Sequence, residues 1–414
     1  MTFHLNALGL LCALGNGVDE VRRQLFNATA LPGTLGVRPC ALYAPYAPLH
    51  PGQETPTSLH LGCLPDTVAL PTLEDLPVEE RTRSNAMLTL ALAQIQPQVD
   101  AAIARHGPER VAVVLGASTA GLEEGLQAAR QFQAQGRFPN HYHYGQQEMG
   151  NAAAFLRRSL GLRGPAHVIS TACSSGAKAL ASGARLLQAG LADAVIAGGV
   201  DALSAFTIAG FSALESVSAE RCLPLSANRT GINLGEGAAL FLMSREPAAS
   251  PGEGVCLSGW GETSDAHHMS APEPSGRGAA EAMRLAMARA RLTPGEVDYV
   301  NLHGTATPQN DAMESRAILD VLGSDVPVSS TKPLTGHTLA AAGAIEAALA
   351  WITLADNPQG RLPPHVWDGA WDDTLPRLTL ARASAPALGR PVHHVLSNSF
   401  AFGGSNATLI LSRT

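Results

Sequence analysis

Two periodicities alternate along this chain. Short apolar runs recur in which neighbouring residues are all hydrophobic, and each is followed by a longer stretch with apolar residues three and four apart. The first pattern is that of a strand buried on both faces, the second that of an amphipathic helix, and their alternation predicts an α/β fold. In the second half, strands are expected at 254–259, 297–302, 326–330, 393–396 and 407–411. Helices are expected at 275–292, 311–322 and 338–354, with Pro294-Gly295 punctuating the first of them. The first half repeats this order with longer insertions: strands at 3–8, 111–115, 167–170, 194–197 and 238–243, helices at 18–26, 121–133 and 174–188. The ends match in pattern, GAALFLMSRE closing one half and SNATLILSRT the other. Two copies of one βαβαβαββ plan imply an internal duplication, dividing the chain into 1–250 and 251–414 near Pro247 and Pro251-Gly252. Segments 40–77 and 139–149 fit neither copy and read as surface insertions.

Composition narrows the function classes. The chain has 414 residues, 45% of them hydrophobic, enough for a substantial core. Only 15% are charged, against a typical value of about 25%, so much of the length must lie inside or against a partner subunit. With 41 glycines and 5% aromatic residues, close packing of sheets and helices is expected. A net charge of −7 gives no support to a nucleic-acid or anionic-membrane surface. Six cysteines, at 12, 40, 63, 173, 222 and 256, form no CxxC pair, which argues against a zinc ribbon or disulfide framework and for a reducing cytoplasm. No Lys or Arg precedes the first apolar run, so residues 1–20 do not read as a signal peptide. The Ala/Gly-rich stretch 176–214 is interrupted by Lys178, Arg185, Gln188, Asp193 and Asp201 and is not expected to span a bilayer; a soluble, cytoplasmic protein is expected.

The sharpest chemical signal is Ile169-Ser-Thr-Ala-Cys-Ser-Ser-Gly176, where a strand ends, Cys173 appears and an Ala-rich helix begins. At a helix N-terminus the macrodipole and free N–H groups favour the thiolate, and the small neighbours leave room for a thioester. Taken alone, Cys173 reads equally as a nucleophile or a buried structural cysteine. Two other strand ends shift the balance: His303-Gly-Thr-Ala-Thr-Pro308, and Lys332-Pro-Leu-Thr-Gly-His337, which occupies in the second half the position of Cys173 in the first. Pseudo-symmetry would therefore bring Cys173, His303, Lys332 and His337 to one centre.

GPAHVISTACSSGAKAL, HGTATP, STKPLTGHTLAAAGAIE and NSFAFGGSNA together resemble the β-ketoacyl-[acyl carrier protein] synthases of the thiolase superfamily, over nearly the whole chain. The resemblance implies a duplicated five-layer αβαβα sandwich and the decarboxylative Claisen condensation of an acyl-Cys enzyme with a malonyl thioester. It implies Cys173 as acyl acceptor, with the backbone N–H groups of Cys173 and Phe402 as oxyanion hole. His303 and His337 would donate to the enolate oxygen, and Lys332, held by Glu346, would add positive potential. Thr305 and Thr307 would bind the phosphopantetheine arm, His268 and Phe400 would line the acyl channel, and Phe402 would gate it. Expected partners are an acyl carrier protein and either a second copy or a chain-length-factor-like subunit, with no cofactor beyond the carrier's phosphopantetheine and no metal. Arg81 and Arg83, in Glu79-Glu-Arg-Thr-Arg83 ahead of an apolar helix, read equally as a carrier-protein patch or as a solvated helix start.

Related classes are discriminated by the same residues. Thiolases use a second, late Cys, and none follows Cys256; starter-type enzymes use Cys-His-Asn, and the third position here is His337. The alternative is a non-catalytic scaffold or chain-length-factor-like subunit, against which an intact Cys173 argues. Departures from the family pattern include Leu225-Ser226, Arg229-Thr-Gly-Ile-Asn233, Ala401 between the two late Phe, and Ala13 for an expected Pro. With CALGNG, RTRSNAMLTLALAQI and GINLGEGAALFLM, they resemble the ketosynthases of bacterial aryl-polyene pigment clusters more than housekeeping fatty-acid enzymes. His141/His143, His267-His268 and His393-His394 lack ligand spacing and a carboxylate companion, so no metal site is expected there.

Overall fold

The computed structural model describes residues 2–27, 36–44, 57–248, 254–385 and 387–414. The first half contributes β1 (Phe3–Cys12), a short return strand β2 (Gly15–Asn16), the hairpin β3 (Arg38–Cys40) and β4 (Leu59–Leu61), then β5 (Val111–Gly116), β6 (Ala166–Ile169), β7 (Ala194–Asp201) and β8 (Gly237–Ser244). The second contributes β9 (Val255–Ser264), β10 (Tyr299–Asn301), β11 (Pro327–Ser329), β12 (Thr379–Leu380), β13 (His394–Ala401) and β14 (Ser405–Arg413). Strand order is β6-β5-β7-β8-β1 in one half and β12-β11-β10-β13-β14-β9 in the other. Each half has a parallel outer part and an antiparallel inner part. A brief β1–β9 pairing, Phe3 with Leu257 and His4 with Cys256, joins them into one sheet. Strand for strand, β1, β5, β6, β7 and β8 correspond to β9, β10, β11, β13 and β14. The expected division at 250/251 falls outside the described residues, as do Pro251 and Gly252 and, within the 40–77 insertion, residues 45–56.

Two helices, Ser175–Gln188 and Ala342–Leu354, lie between the halves. The second is apolar all round, which a helix tolerates only when every face is covered; all of its residues but Trp351 are buried. The pair approach with backbones almost touching. A Cβ on Gly176 would fall 2.7 Å from the Ala344 nitrogen, and one on Gly343 2.7 Å from the Ala177 nitrogen. Both glycines are therefore obligatory in this packing. One core fills the space between the halves around these helices. A second core lies under the outer helices Arg83–Ala93, Gln96–His106 and Asn151–Ser159, and a third under Arg277–Ala290 and Pro308–Leu322. The five layers follow from these three cores.

Several strands outrun their sequence signal. β1 continues to Cys12, β9 to Ser264 and β13 to Ala401, because cross-strand partners satisfy polar residues that break the apolar run. Thr408 Oγ1, for instance, donates to Asn398 Oδ1 at 2.8 Å. The helix Ala205–Ala213, which has no clear periodicity, was not expected. Among the described residues, no helix is long and apolar enough to cross a membrane.

Candidate active site

The site is built at the strand ends that meet above the two central helices. Cys173 follows β6; the preceding Ala172 is held at φ 50°, a left-handed elbow that L-residues rarely adopt and that turns the thiol out of the strand. His303 follows β10, and His337 follows β11 through the turn Lys332–Thr335. Phe402 opens the turn between β13 and β14, where Gly403 (φ 79°) and Gly404 (φ 72°) supply two successive left-handed residues. Together they enclose a cavity of about 240 Å³, also walled by Thr305, Thr307, Phe400 and Phe211.

His337 Nε2 lies 2.9 Å from Cys173 Sγ. The His303 ring stands edge-on to the His337 ring, 5.4 Å between centroids. The reactive atoms of Cys173, His303 and His337 all lie within 4.8 Å of one another, close enough in principle to grip a single ion. Burial, reinforced by the Lys332 charge, holds both imidazoles well below their usual range, so they are neutral. The backbone N–H groups of Cys173 itself and of Phe402 face the sulfur, a pair of donors able to hold an oxyanion.

The thiol departs from expectation. Burial pushes Cys173 up to about 12, and the opposing Lys332 charge and two backbone amides do not offset it. A helix terminus contributes at most about 2 kcal/mol, whereas three pKa units are worth about 4. Desolvation wins, and the resting group is the neutral thiol.

Lys332 is buried and does not reach the cavity. Its Nζ donates to the His303 carbonyl and pairs with Glu346, and it sits 3.4 Å from His303 Nδ1. An ammonium can only donate, so His303 Nδ1 carries no proton and Nε2 does. Lys332 thus acts through the His303 tautomer and through its field on Cys173. Glu346 is pushed up to about 7 by burial, against the pull of Lys332.

Sequence reasoning missed the groups that hold these loops. Glu314, on the helix Pro308–Leu322, accepts the N–H groups of His303 and Gly304, both at 2.7 Å, and burial pushes it up to about 7. Asp311, one turn earlier, accepts from Leu225 N–H at 2.8 Å and Ala306 N–H at 3.2 Å. Asn233 accepts the His337 N–H on its own carbonyl at 2.6 Å and anchors its side chain on Cys222 N–H and the Glu220 carbonyl. Gly62 lets a second strand of chain press on the same loop: a Cβ there would fall 2.0 Å from the Thr335 oxygen. Asp201, at the end of β7, takes four bonds from Ser118 and Thr119 and one from Ala340 N–H at 2.7 Å, tying the first half to the start of the second central helix.

The remaining candidates divide. Thr305 and Thr307 hydroxyls lie 2.9 Å apart on the cavity wall, Phe400 packs on His303 with ring centroids 6.2 Å apart, and the Phe402 ring lies tilted against Phe211, centroids 5.8 Å apart. His268 is not on the wall. It is exposed and accepts from the Ser270 and Ala271 N–H groups, while Ser270 and Pro272 face the cavity instead. Arg81 and Arg83 do not form a free cationic patch. Arg83 makes a bidentate pair with buried Glu236 at 2.6 and 2.7 Å, and Arg81 donates to the Leu76 carbonyl. Both were placed by charge alone, which could not reveal a carboxylate 153 residues away.

A thiol flanked by two neutral imidazoles and two aimed amides, at equivalent strand ends of a duplicated α/β sandwich, defines the thiolase-like class. Within it, the family described as beta-ketoacyl synthase matches through its N-terminal domain at residues 78–249 and its C-terminal domain at 255–366. The chain belongs to the β-ketoacyl synthase family. It is similar to a structure described as the ketosynthase (ApeO) in complex with its chain length factor (ApeC) from Xenorhabdus doucetiae, with 43% identity and a TM-score of 0.88 over 100% of this chain and 98% of that one. A β-ketoacyl synthase from Burkholderia phymatum is 27% identical, with a TM-score of 0.83 over 100% and 99%. The 3-oxoacyl-[acyl-carrier-protein] synthase 2 of Synechocystis sp. is 36% identical over 275 residues, 63% of this chain and 65% of that protein. The matched stretch thus spans just under two-thirds of that curated relative's length.

Proposed function

We propose that the chain condenses an acyl group held on Cys173 with malonyl-[acyl carrier protein], releasing carbon dioxide and 3-oxoacyl-[acyl carrier protein]. The observation that carries this is the 2.9 Å approach of His337 Nε2 to a neutral Cys173 thiol beneath two backbone amides. In the first half-reaction, His337 accepts the thiol proton as Sγ attacks the acyl thioester. The Cys173 and Phe402 amides hold the oxyanion, and the carrier's thiol leaves with the proton. In the second, His303 donates from Nε2 to the malonyl carbonyl, and His337 donates from Nε2 once its single ring proton has moved there from Nδ1 by exchange with water, as the carboxylate departs as carbon dioxide. The carbanion attacks the acyl-Cys173 carbonyl, and the Cys173 thiolate is expelled and takes a proton from water.

Thr305 and Thr307 would hydrogen-bond the phosphopantetheine arm, and Phe402 would gate the acyl channel. No other cofactor is required by these steps. A cytoplasmic setting suits a protein whose working group is a free thiol. The Xenorhabdus ketosynthase is described with its chain length factor, which supports a heterodimer with such a subunit over a homodimer; an aryl-polyene or polyketide role over housekeeping fatty-acid elongation rests on the resemblance of CALGNG, RTRSNAMLTLALAQI and GINLGEGAALFLM. The scaffold reading is disfavoured because a non-catalytic subunit has no use for a thiol aligned with a base and two amides. Incubation with an acyl-carrier-protein starter and malonyl-carrier protein, with and without a chain-length-factor-like partner, should give a 3-oxoacyl product by mass spectrometry. Absence of product under both conditions would reject the reading.

A further inference from the structure

The chain has two lysines. Lys332 belongs to the site described above. Lys178 stands five residues after Cys173, on the helix that Cys173 precedes, half-buried among small side chains. A cation so placed would ordinarily meet a carboxylate. Its Nζ instead donates to Ser405 Oγ at 2.6 Å. Ser405 Oγ lies 3.0 Å from Ser174 Oγ, and Ser174 Oγ donates to the Thr171 carbonyl at 2.8 Å.

An ammonium can only donate and a carbonyl can only accept, so with the Ser174 proton on the Thr171 carbonyl the direction of this chain is set from both ends. Lys178 donates to Ser405, Ser405 turns its proton toward Ser174, and Ser174 turns its own toward Thr171. Ser174 adjoins Cys173, and Ser405 closes the turn that begins at Phe402. The network therefore connects the two segments that supply the oxyanion hole, whose hydroxyls are 231 residues apart in sequence. Other bonds of the turn run elsewhere: Gly403 N–H donates to the Met269 carbonyl and Asp265 N–H to the Gly404 carbonyl, holding the turn to an exposed loop and not to Cys173. Gly403 and Gly404 make the turn pliant, so the spacing between its amide and that of Cys173 is not guaranteed by backbone stiffness. The location also costs the lysine: burial and the neighbouring Arg185 both disfavour its charged form, and Arg185 itself is paired with Glu262.

We propose that Lys178 is a positioning residue for the oxyanion hole, acting through Ser405 and Ser174 to hold the Phe402 amide against the Cys173 amide. This rests on the acyl-transfer reading above. The lysine touches no reacting atom. It takes one lone pair of Ser405 Oγ and anchors that hydroxyl beside Ser174, whose own proton is on the Thr171 carbonyl.

Two reactions at one sulfur separate this role from a merely structural one. Acylation passes through a tetrahedral oxyanion; alkylation by iodoacetamide does not. In the full-length protein, Lys178→Met and Ser405→Ala should each slow Cys173 acylation from acyl-carrier protein, read by intact mass. Loss of an oxyanion donor outright costs about 10²–10³; a displaced donor should cost about 10–100-fold in the maximal rate, with the Michaelis constant unchanged. Alkylation of Cys173 should stay within about twofold, and Lys178→Arg should recover part of the acylation rate. Equal losses in acylation and alkylation would overturn the proposal in favour of general disruption, as would undiminished acylation in Lys178→Met. Failure of the unsubstituted protein to take an acyl group would instead strike the proposed function, and this inference with it.

Discussion

A neutral resting thiol has a consequence that can be measured directly. Burial moves Cys173 from 9.0 to about 12, roughly 4 kcal/mol at about 1.4 kcal/mol per unit. At pH 7 the free thiolate fraction then falls from about 10⁻² to about 10⁻⁵, which favours the proposed route in which His337 takes the proton as the sulfur attacks. The sign is clear: a raised thiol pKa means the folded protein keeps a proton that the unfolded chain loses above pH 9. This group therefore weakens stability as pH climbs from 9 toward 12. The assay is the thiolate absorbance near ~240 nm, taken as the difference between the protein and Cys173→Ser, titrated from pH 6 to 10.5 (thiolates absorb there, thiols do not, and ionisation is the only event compared). The difference signal should stay near zero to pH 9 and only begin to rise above it. A full signal with a midpoint at or below 7 would refute the argument, and would mean that the helix terminus and Lys332 outweigh desolvation.

Other substitutions follow from the same geometry. His303→Ala should cut malonyl decarboxylation by about 10²–10³ while acylation of Cys173 persists, whereas His337→Ala should slow both steps, because only His337 touches the sulfur. Measuring carbon dioxide release and acyl-enzyme mass separately distinguishes the two. Arg83→Gln leaves Glu236 buried without its bidentate partner, a loss of about 3 kcal/mol at the low end for a buried pair since Arg83 is partly exposed. The expected result is a lower melting temperature with the carrier-protein Michaelis constant unchanged; the reverse would restore Arg83 to the docking surface. Phe402→Ala should leave decarboxylation near normal and change loading of long or bulky acyl chains more than short ones; equal changes for all chains would mean lost packing against Phe211, not gating.

The centre of the site was legible because its residues sit where a periodic pattern breaks. Cys173, His303 and His337 each interrupt a strand-to-helix junction in a run of Gly, Ala, Ser and Thr, and the duplicated order of elements shows that two of these junctions are equivalent. Support for the site was not legible in the same way. Glu314 looks like an ordinary helix acid until the fold aims it at two backbone N–H groups of the His303 loop. The one hint was an Asp311/Glu314 pair, three residues apart, in the helix that leaves HGTATP. Asn233 and Arg83 act on partners remote in sequence, and no local pattern encodes such pairings. The thiol's protonation state was misjudged for a related reason. A helix terminus can be seen in sequence, while burial depends on every layer that closes over it.

With acyl transfer assigned to Cys173 and decarboxylation to the two histidines, one substitution should separate the two reactions. Cys173→Gln removes the acyl acceptor while its amide imitates the neutral acylated sulfur beneath the Cys173 and Phe402 amides. Given malonyl-[acyl carrier protein] and an acyl starter, the variant should release carbon dioxide at or above the rate of the unsubstituted protein and form no 3-oxoacyl product. Continued condensation by Cys173→Gln, or loss of decarboxylation together with condensation, would show that the two half-reactions are not divided in this way.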